Sequence, residues 1–323
     1  MKTLDSIYYV TKFGGLKLLY IYITDKLCKN SKKREAIYKI IENIRPENYE
    51  RKLSEYYEMS TLRKIDIQHP RTFNEKIQWL KLYDPMNKLK TKLADKYRVR
   101  EWIEEKVGAE YLIPLLGVWN NISEIDLDTL SDRFVLKTNH GSGTTVAILN
   151  KEEADWPEIE KKYDKWLSNN YAFDSFEPHY KDITPKIIAE EYIEQKDGNL
   201  YDYKIHCFNG KPLYILVVGE RDLKHHTGRA ATYDIEWNLQ SFTQDSYFPF
   251  EKPMSKPKNL KEMLRLAEIL SQEFSYVRVD LYELDDGSIK FGEMTFTPCS
   301  GMYDWNPPEM DEKWGELLKL PMD

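Results

Sequence analysis

The order of polar and apolar positions changes rhythm near residue 110. Upstream, apolar residues recur at helical spacing. In HPRTFNEKIQWLKLYDP (69–85), Phe73, Ile77 and Leu80 fall on one face, which Trp79 and Tyr83 widen. Thr72 stands at the N-cap position and Glu75, three residues later, completes a capping box, while Pro85 ends the run. A second helix is expected through KTKLADKYRVREWIEEKVG, with Gly108 as its C-cap. Residues 1–65 read as helical and charged, without a strand signal.

Downstream, the pattern is that of strands. YLIPLLGVW, RFVLKTN, TTVAIL, KIIAEEYI, YKIHCF, PLYILVVG, YVRVDLYEL and IKFGEMTF are rich in β-branched and aromatic residues and are bounded by Gly, Asn, Asp or Pro. Helical stretches are expected at 151–170 and 258–274. Strands joined by hairpins with few helices between them predict an α+β class, not a doubly wound parallel sheet. At 323 residues the chain can bury two or three lobes.

Composition adds a few exclusions. With 41% hydrophobic and 31% charged residues the chain reads as globular. A formal charge of −7, with basic residues interspersed among acidic ones, leaves no footprint for nucleic acid, so no nucleic-acid partner is expected. Cys28, Cys207 and Cys299 lie far apart, which argues against a zinc cluster or disulfide framework and fits a reducing cytoplasm. The apolar run Leu16–Thr24 is too short to span a membrane, and no small-residue cleavage site follows it. It reads as an amphipathic helix, and both packing on the body and peripheral association with a membrane surface are open to it.

Four stretches carry candidate chemistry. In FVLKTNHGSGTTVAI (134–148) a lysine closes a strand before a Gly/Ser/Thr loop, which is either an anion nest or a plain hairpin turn with a surface lysine. It is not a Walker A loop, because the lysine precedes the glycines and a strand follows. KIIAEEYI (186–193) carries Glu190-Glu191 near its end, where a strand terminus could offer adenine a backbone donor and acceptor or simply leave the core for solvent. In DYKIHCFNGKP (202–212), Asp202, Lys204 and His206 alternate and share one strand face, solvated or the floor of a polar cleft. In VRVDLYELDDGSIKFGEMTFTPCSG (277–301), Arg278 with Asp280 and Glu293 with Thr295 face each other across the turn at 285–287. Two carboxylates beside a hydroxyl suit a hard cation such as Mg2+; an ion pair with Arg278 and a glycosidase pair are the alternatives.

The order Lys96, Lys137 with its glycine loop, Glu190-Glu191 and RVDLYELDDGSIKFGEMTFTP resembles the ATP-grasp ligases. HPRTFNEKIQWLKLYD, LADKYRVREWI, YLIPLLGVW, FVLKTNHGSG and WGELLKLP resemble more closely the TupA-like branch, found in bacterial teichuronopeptide, capsule and other surface-polysaccharide gene sets. The resemblance covers residues 65–323. It implies an ATP-grasp fold, two α+β lobes clasping ATP, over 95–323, after a mainly helical region 1–94. A lid subdomain would span 115–195 and a metal and substrate lobe 196–323.

The resemblance also implies roles. Lys96 and Lys137 would be the phosphate-binding lysines, and the flexible loop Asn139–Thr145, with His140, Gly141, Ser142 and Gly143, would close on ATP. Glu190, Glu191 and Ile193 would line the adenine pocket, with Asp202 near the ribose. Asp280 and Glu293 would hold Mg2+ (or Mn2+), with Thr295 standing where the superfamily has Asn. Arg278 and Lys204 are the candidate catalytic residues, Arg278 matching the arginine that stabilises a developing oxyanion. Arg221, His225, His226 and Arg229 would serve the acceptor side, with a solvated loop as the alternative.

The implied chemistry is ATP-dependent activation of a carboxylate as an acyl phosphate, then attack by an amine. The expected partners are an amino acid and a uronic-acid sugar, free or nucleotide- or lipid-linked, in the cytoplasm or at the inner face of the membrane. A glycosyltransferase would call for a DxD-type metal motif, and Asp285-Asp286 sits instead at a hairpin turn. A sugar kinase would need a base, for which Asp202 or His206 could be recruited.

Overall fold

The computed structural model describes the backbone of residues 2–28, 32–193, 195, 198–222, 227–244 and 247–321. Within these it describes every side chain except those of 2, 3, 25–28, 34, 221, 222, 227, 243 and 244. The helical rhythm upstream is realised as α1 (Lys2–Cys28), α2 (Lys32–Glu42), α3 (Tyr49–Thr61), α4 (Phe73–Tyr83), α5 (Asn87–Ala94) and α6 (Val99–Lys106). Gly15 breaks α1 with a φ of 65°, a conformation in which a Cβ would be strained. On its packed side Val10, Phe13 and Leu18 meet Ile37, Ile41 and Leu53 of α2 and α3.

The capping box of α4 forms as expected: Thr72 Oγ1 accepts from the Glu75 N–H, and the Glu75 carboxylate accepts from the Thr72 N–H. Phe73, Ile77 and Leu80 are fully buried. One local expectation shifts by a residue. Val107 is the C-cap of α6, and Gly108 follows it at a φ of 116°.

The downstream strands form two main sheets. The first joins β1 (Leu115–Trp119), β2 (Phe134–Thr138), β3 (Thr145–Ile148) and β4 (Ile187–Glu191) in the order β1-β4-β2-β3, all antiparallel. The helix α7 (Trp156–Leu167) covers it, with Ile159 and Tyr163 against Phe134, Leu136 and Ile187.

The second sheet is built from β5 (Asp202–Phe208), β6 (Lys211–Asp222), β7 (Thr227–Asp234), β9 (Phe248–Pro249), β10 (Tyr276–Glu283) and β11 (Ile289–Thr295). Its order is β11-β10-β5-β6-β7-β9, antiparallel except for β7 with β9. A short pair, β8 (Thr243–Gln244) with β12 (Trp305–Asn306), lies apart from it, and the chain adds α8 (Leu260–Ser271) and α9 (Met310–Leu317). The α+β expectation holds. β7 was not anticipated, because TGRAATYD lacks the β-branched run that marks the other strands.

Alternation along β10 sets up the functional face. Val277, Val279 and Leu281 point into a core with Leu266 and Leu270 of α8 and Trp102 and Ile103 of α6. Tyr276, Arg278 and Asp280 therefore point the other way. On that side Tyr276 and Phe208 join an aromatic cluster with Phe73, Trp305 and Trp314, which brings α4 and α9 against the sheet beside the charged residues.

Candidate active site

Register across three strands assembles the charges. Asp280 on β10 stands opposite Lys204 on β5 and Glu293 on β11, and Arg278 stands opposite His206 and Thr295. Arg278 grips Asp280 with a bidentate pair, Nε to Oδ1 and Nη2 to Oδ2, each 2.7 Å. Lys204 Nζ donates to Asp280 Oδ2 at 2.5 Å and lies 2.6 Å from Asp202 Oδ2. Arg278 Nη2 also reaches Thr295 Oγ1 at 3.1 Å and Glu293 Oε1 at 3.4 Å.

Burial opposes charge here, and the partners overcome it. Burial would lower the Lys204 pKa, but Asp202 and Asp280 raise it above the ordinary lysine value. Burial disfavours charge on Arg278 too, and Asp280 more than compensates. Glu293 would be pushed up by burial, yet Lys96, with help from Lys204 and Arg278, holds it below the usual carboxylate value. His206, 1% exposed, is driven the other way: burial and then Arg278 and Lys204 push its pKa well below the ordinary value, so it is neutral. Its Nδ1 lies 2.7 Å from the Tyr276 hydroxyl, which fixes the ring.

The first sheet supplies a second group of charges. Glu190, at the end of β4, binds Lys137 Nζ at 2.6 Å with one oxygen and Arg100 Nη1 at 3.0 Å with the other. Lys96 connects the groups: its backbone N–H donates to Asn139 O at 3.0 Å, its Nζ donates to Gly141 O, and its Nζ lies 3.6 Å from Glu293 Oε2. Lys96, Arg100, Leu112, Lys137, Glu190, Phe291 and Gly292 line a small open cleft.

The loop after β2 is anchored at one end and open at the other. Asn139 is fully buried; its amide donates to Asp95 and to Thr184 O, and its Oδ1 accepts from the Lys186 N–H at 2.7 Å. The His140 ring is buried, with Nε2 3.2 Å from the carbonyls of Trp166 and Asn169; burial lowers its pKa although those carbonyls oppose the shift. His140 can thus offer an anion its backbone N–H, not its ring. Ser142 is exposed, and Gly143, at a φ of 72°, has open space around it.

Of the remaining expected site residues, Glu191 is exposed and its N–H donates to Pro114 O, while Ile193 is half-buried. Arg229 is engaged by Glu220 at 2.9 Å, Glu251 at 3.2 Å and Pro249 O at 2.6 Å. It lies on β7, three strands from β10 and so about 14 Å across the sheet. His225 and His226 lie outside the described residues, as does the Arg221 side chain.

Sequence reading missed Arg100, for which the only signal was its four-residue spacing from Lys96 on the helix that follows. It also missed the clamp on the segment after β11. There Cys299, Ser300 and Gly301 adopt successive left-handed conformations, φ 48°, 53° and 61°. Gln78 Nε2 donates to the Ser300 and Gly301 carbonyls, each at 2.8 Å, and Lys81 Nζ donates to Ser300 O at 2.8 Å. Asn74 holds Tyr303 by both its backbone groups, at 2.9 and 3.0 Å. Glu177 accepts from the Thr297 hydroxyl.

The ion pair between Arg278 and Asp280 is formed here, and Lys204 shares the Asp280 Oδ2, so Asp280 would have to exchange part of this pairing to bind a divalent cation. Among the described residues no three His, Cys, Asp or Glu side chains converge on one point. A metal here would take the two carboxylates in register, Asp280 and Glu293, with the Thr295 hydroxyl, and complete its shell with water and phosphate oxygens, as Mg2+ does. The charges agree: Lys96, Arg100, Lys137, Lys204 and Arg278 face Glu190, Asp202, Asp280 and Glu293, a cation excess suited to a polyanion.

The chain is similar in fold to several solved structures, all at low identity. D-alanine–D-alanine ligase from Bacillus anthracis complexed with ATP is 17% identical, with a TM-score of 0.38, over 64% of this chain and 55% of that one. L-amino acid ligase from Bacillus licheniformis is 12% identical, with a TM-score of 0.42, over 71% and 48%. N5-carboxyaminoimidazole synthetase from Staphylococcus aureus is 14% identical, with a TM-score of 0.36, over 63% and 44%. The chain thus spans about half the length of these three structures. No curated protein sequence matches it significantly. The family model described as TupA-like ATPgrasp matches residues 75–319, from the first turn of α4 to just beyond α9, and so contains both charged groups and, apart from Asn74, the clamp. By that match the chain belongs to the TupA-like ATP-grasp family.

Proposed function

We propose that the chain is an ATP- and Mg2+-dependent carboxylate–amine ligase. It joins the amine of an amino acid to the carboxylate of a uronic-acid sugar during bacterial surface-polysaccharide assembly, in the cytoplasm or at the inner face of the membrane. One observation carries the reading: Lys96 donates to the glycine loop at Gly141 O and lies 3.6 Å from Glu293, beside a cleft lined by Lys96, Arg100, Lys137 and Glu190 and bordered by Phe291 and Gly292 of β11, the strand that carries Glu293. In this reading residues 1–94 form a helical region, 115–195 the lid, and 196–323 the lobe that binds metal and acceptor.

Lys96 and Lys137 hold the phosphates, the N–H groups of His140, Gly141, Ser142 and Gly143 close over them, and Glu190, Glu191, Ile193 and Asp202 border the nucleoside. Asp280, Glu293 and Thr295 would hold Mg2+, which when bound would neutralise phosphoryl charge. The substrate carboxylate oxygen attacks the γ-phosphorus, giving an acyl phosphate and ADP. The amine then attacks the acyl carbon, the nitrogen loses a proton, and inorganic phosphate leaves. Arg278 has Nε and Nη2 committed to Asp280, which leaves Nη1 to meet the developing oxyanion. Lys204 helps to hold the Asp280 carboxylate in place. A rim role for Arg221, His225 and Arg229 toward the sugar belongs to the same reading.

The test is ADP release from ATP and Mg2+ over a matrix of amino acids and uronic-acid sugars, with mass spectrometry of the products. ADP formed only with both partners, alongside a product lighter by one water than their sum, is the expected result. A phosphorylated sugar made without any amino acid would replace the ligase with a kinase.

A further inference from the structure

Among the described residues, each of the two segments of α1 that meet at Gly15 carries exposed large apolar side chains. Leu4 (72% exposed) and Tyr8 (61%) sit one turn apart before the bend at Gly15. Leu16 (78%), Tyr20 (70%) and Ile23 (44%) recur at i, i+4 and i+7 after it. Among the described residues, five of the eleven exposed large hydrophobics lie on this one helix. The helix is not a loose end, because Val10, Phe13 and Leu18 on its other side are buried against α2 and α3.

Charge is segregated to the same region. Residues 1–45 contain ten Lys or Arg against four Asp or Glu, a formal +6, whereas the whole chain is −7, so residues 46–323 carry −13. Exposed Lys17 borders the stripe, exposed Lys32 opens α2, and Lys33 Nζ lies 4.6 Å from the centre of the Tyr22 ring. A seated helix with Leu, Ile and Tyr outward and lysines around it has the make-up of a helix lying in a membrane interface, tyrosines at headgroup depth. No described helix is long and apolar enough to cross a membrane.

We propose that the outward face of α1 docks on an anionic lipid bilayer. The acidic remainder of the chain is repelled by such a surface, so the charge distribution orients the molecule with α1 toward it. A second copy of the chain is a poorer occupant, because isologous pairing would bring two +6 regions together. The docking surface is independent of the ligase reading, since vesicle binding requires neither ATP nor an acceptor, and each can fail alone.

The test is cosedimentation of the full chain with vesicles of phosphatidylcholine and phosphatidylglycerol, against phosphatidylcholine alone. Binding to the mixed vesicles that falls as salt is raised is expected. The triple variant Leu16→Gln, Tyr20→Gln, Ile23→Gln, with every substitution at an exposed position, is expected to bind about tenfold more weakly or worse, with its unfolding midpoint unchanged. The salt titration uses the native chain, so a misfolded variant cannot blur the result. Equal or absent binding to both vesicle types overturns the proposal, as does full binding by the folded variant. A dimer seen by light scattering that the triple variant dissolves, without vesicle affinity in the native chain, would assign the face to a second copy instead.

Discussion

Asp280 accepts three hydrogen bonds from two cations at a position 1% exposed, so its buried carboxylate is compensated by both. Removing one partner of a buried pair leaves the other charge uncompensated. Arg278→Ala is therefore expected to cost roughly 3–5 kcal/mol in urea unfolding, and Arg278→Lys, which keeps a charge but loses the fork, much less. Equal losses in the two variants would mean that bidentate geometry, not charge, holds Asp280. The pair Lys81 and Glu177 predicts a pH profile. Burial raises the Glu177 pKa above 4.5 despite Lys81, and burial lowers that of Lys81 from 10.5 to about 8 despite Glu177. Above pH 4.5 the folded state holds the Glu177 proton longer than the unfolded chain, so stability falls as pH rises through the folded pKa. Between pH 8 and 10.5 the unfolded chain binds the Lys81 proton that the folded state has released, and stability recovers. Unfolding midpoints across this range should trace a trough whose acid side disappears in Glu177→Gln. A trough unchanged in that variant would assign it to other groups.

At the scale of elements, α4 is a clamp. Beyond its capping box, Asn74 fixes Tyr303, Lys76 Nζ binds the carbonyls of Gly315 and Leu318 at 2.8 and 2.7 Å, and Gln78 and Lys81 hold the left-handed turn. The N-terminus of α4 and α9 meet at backbone distance: a Cβ on Gly315 would lie 2.1 Å from Arg71 O and 2.8 Å from Thr72 Cα. Only backbone can give way there, so Gly315→Ala should cost at least about 1–3 kcal/mol. Thr72→Ala, which removes the cap alone, should cost about 1 kcal/mol. Because both act on one contact, the double variant should depart from additivity, and strict additivity would show that the cap and the α9 contact are separate. The capping box and the apolar face were legible in the sequence because both are local patterns. The polar positions of the same helix were not, since Asn74, Lys76 and Gln78 find partners more than two hundred residues away, and a solvated face has the same pattern.

Across the whole molecule, what the sequence made legible follows how each group is built. Asp280, Glu293 and Arg278 could be placed together because strand alternation and one hairpin turn nearly determine their register, whereas Lys204 meets Asp280 only through the pairing of β5 with β10, 76 residues apart. Arg100 could not, because it reaches Glu190 only once the first sheet has packed beside α6. Long-range packing thus joins the two charged groups, with Lys96 in contact with the glycine loop and with Glu293 at once. A nucleotide bridging them binds only the folded chain, so ATP with Mg2+ should raise stability by about 2.7 kcal/mol at a hundredfold excess over Kd. Lys137→Ala keeps Glu190 paired with Arg100 but takes away one of the cations proposed to hold the phosphates. At the same ATP concentration, a roughly tenfold weaker affinity would remove about 1.4 kcal/mol of that gain. Thermal unfolding with and without ATP and Mg2+ reads both numbers. A shift as large in Lys137→Ala as in the native chain would place the nucleotide somewhere other than this cleft, and the assignment of Lys96 and the glycine loop would fall with it.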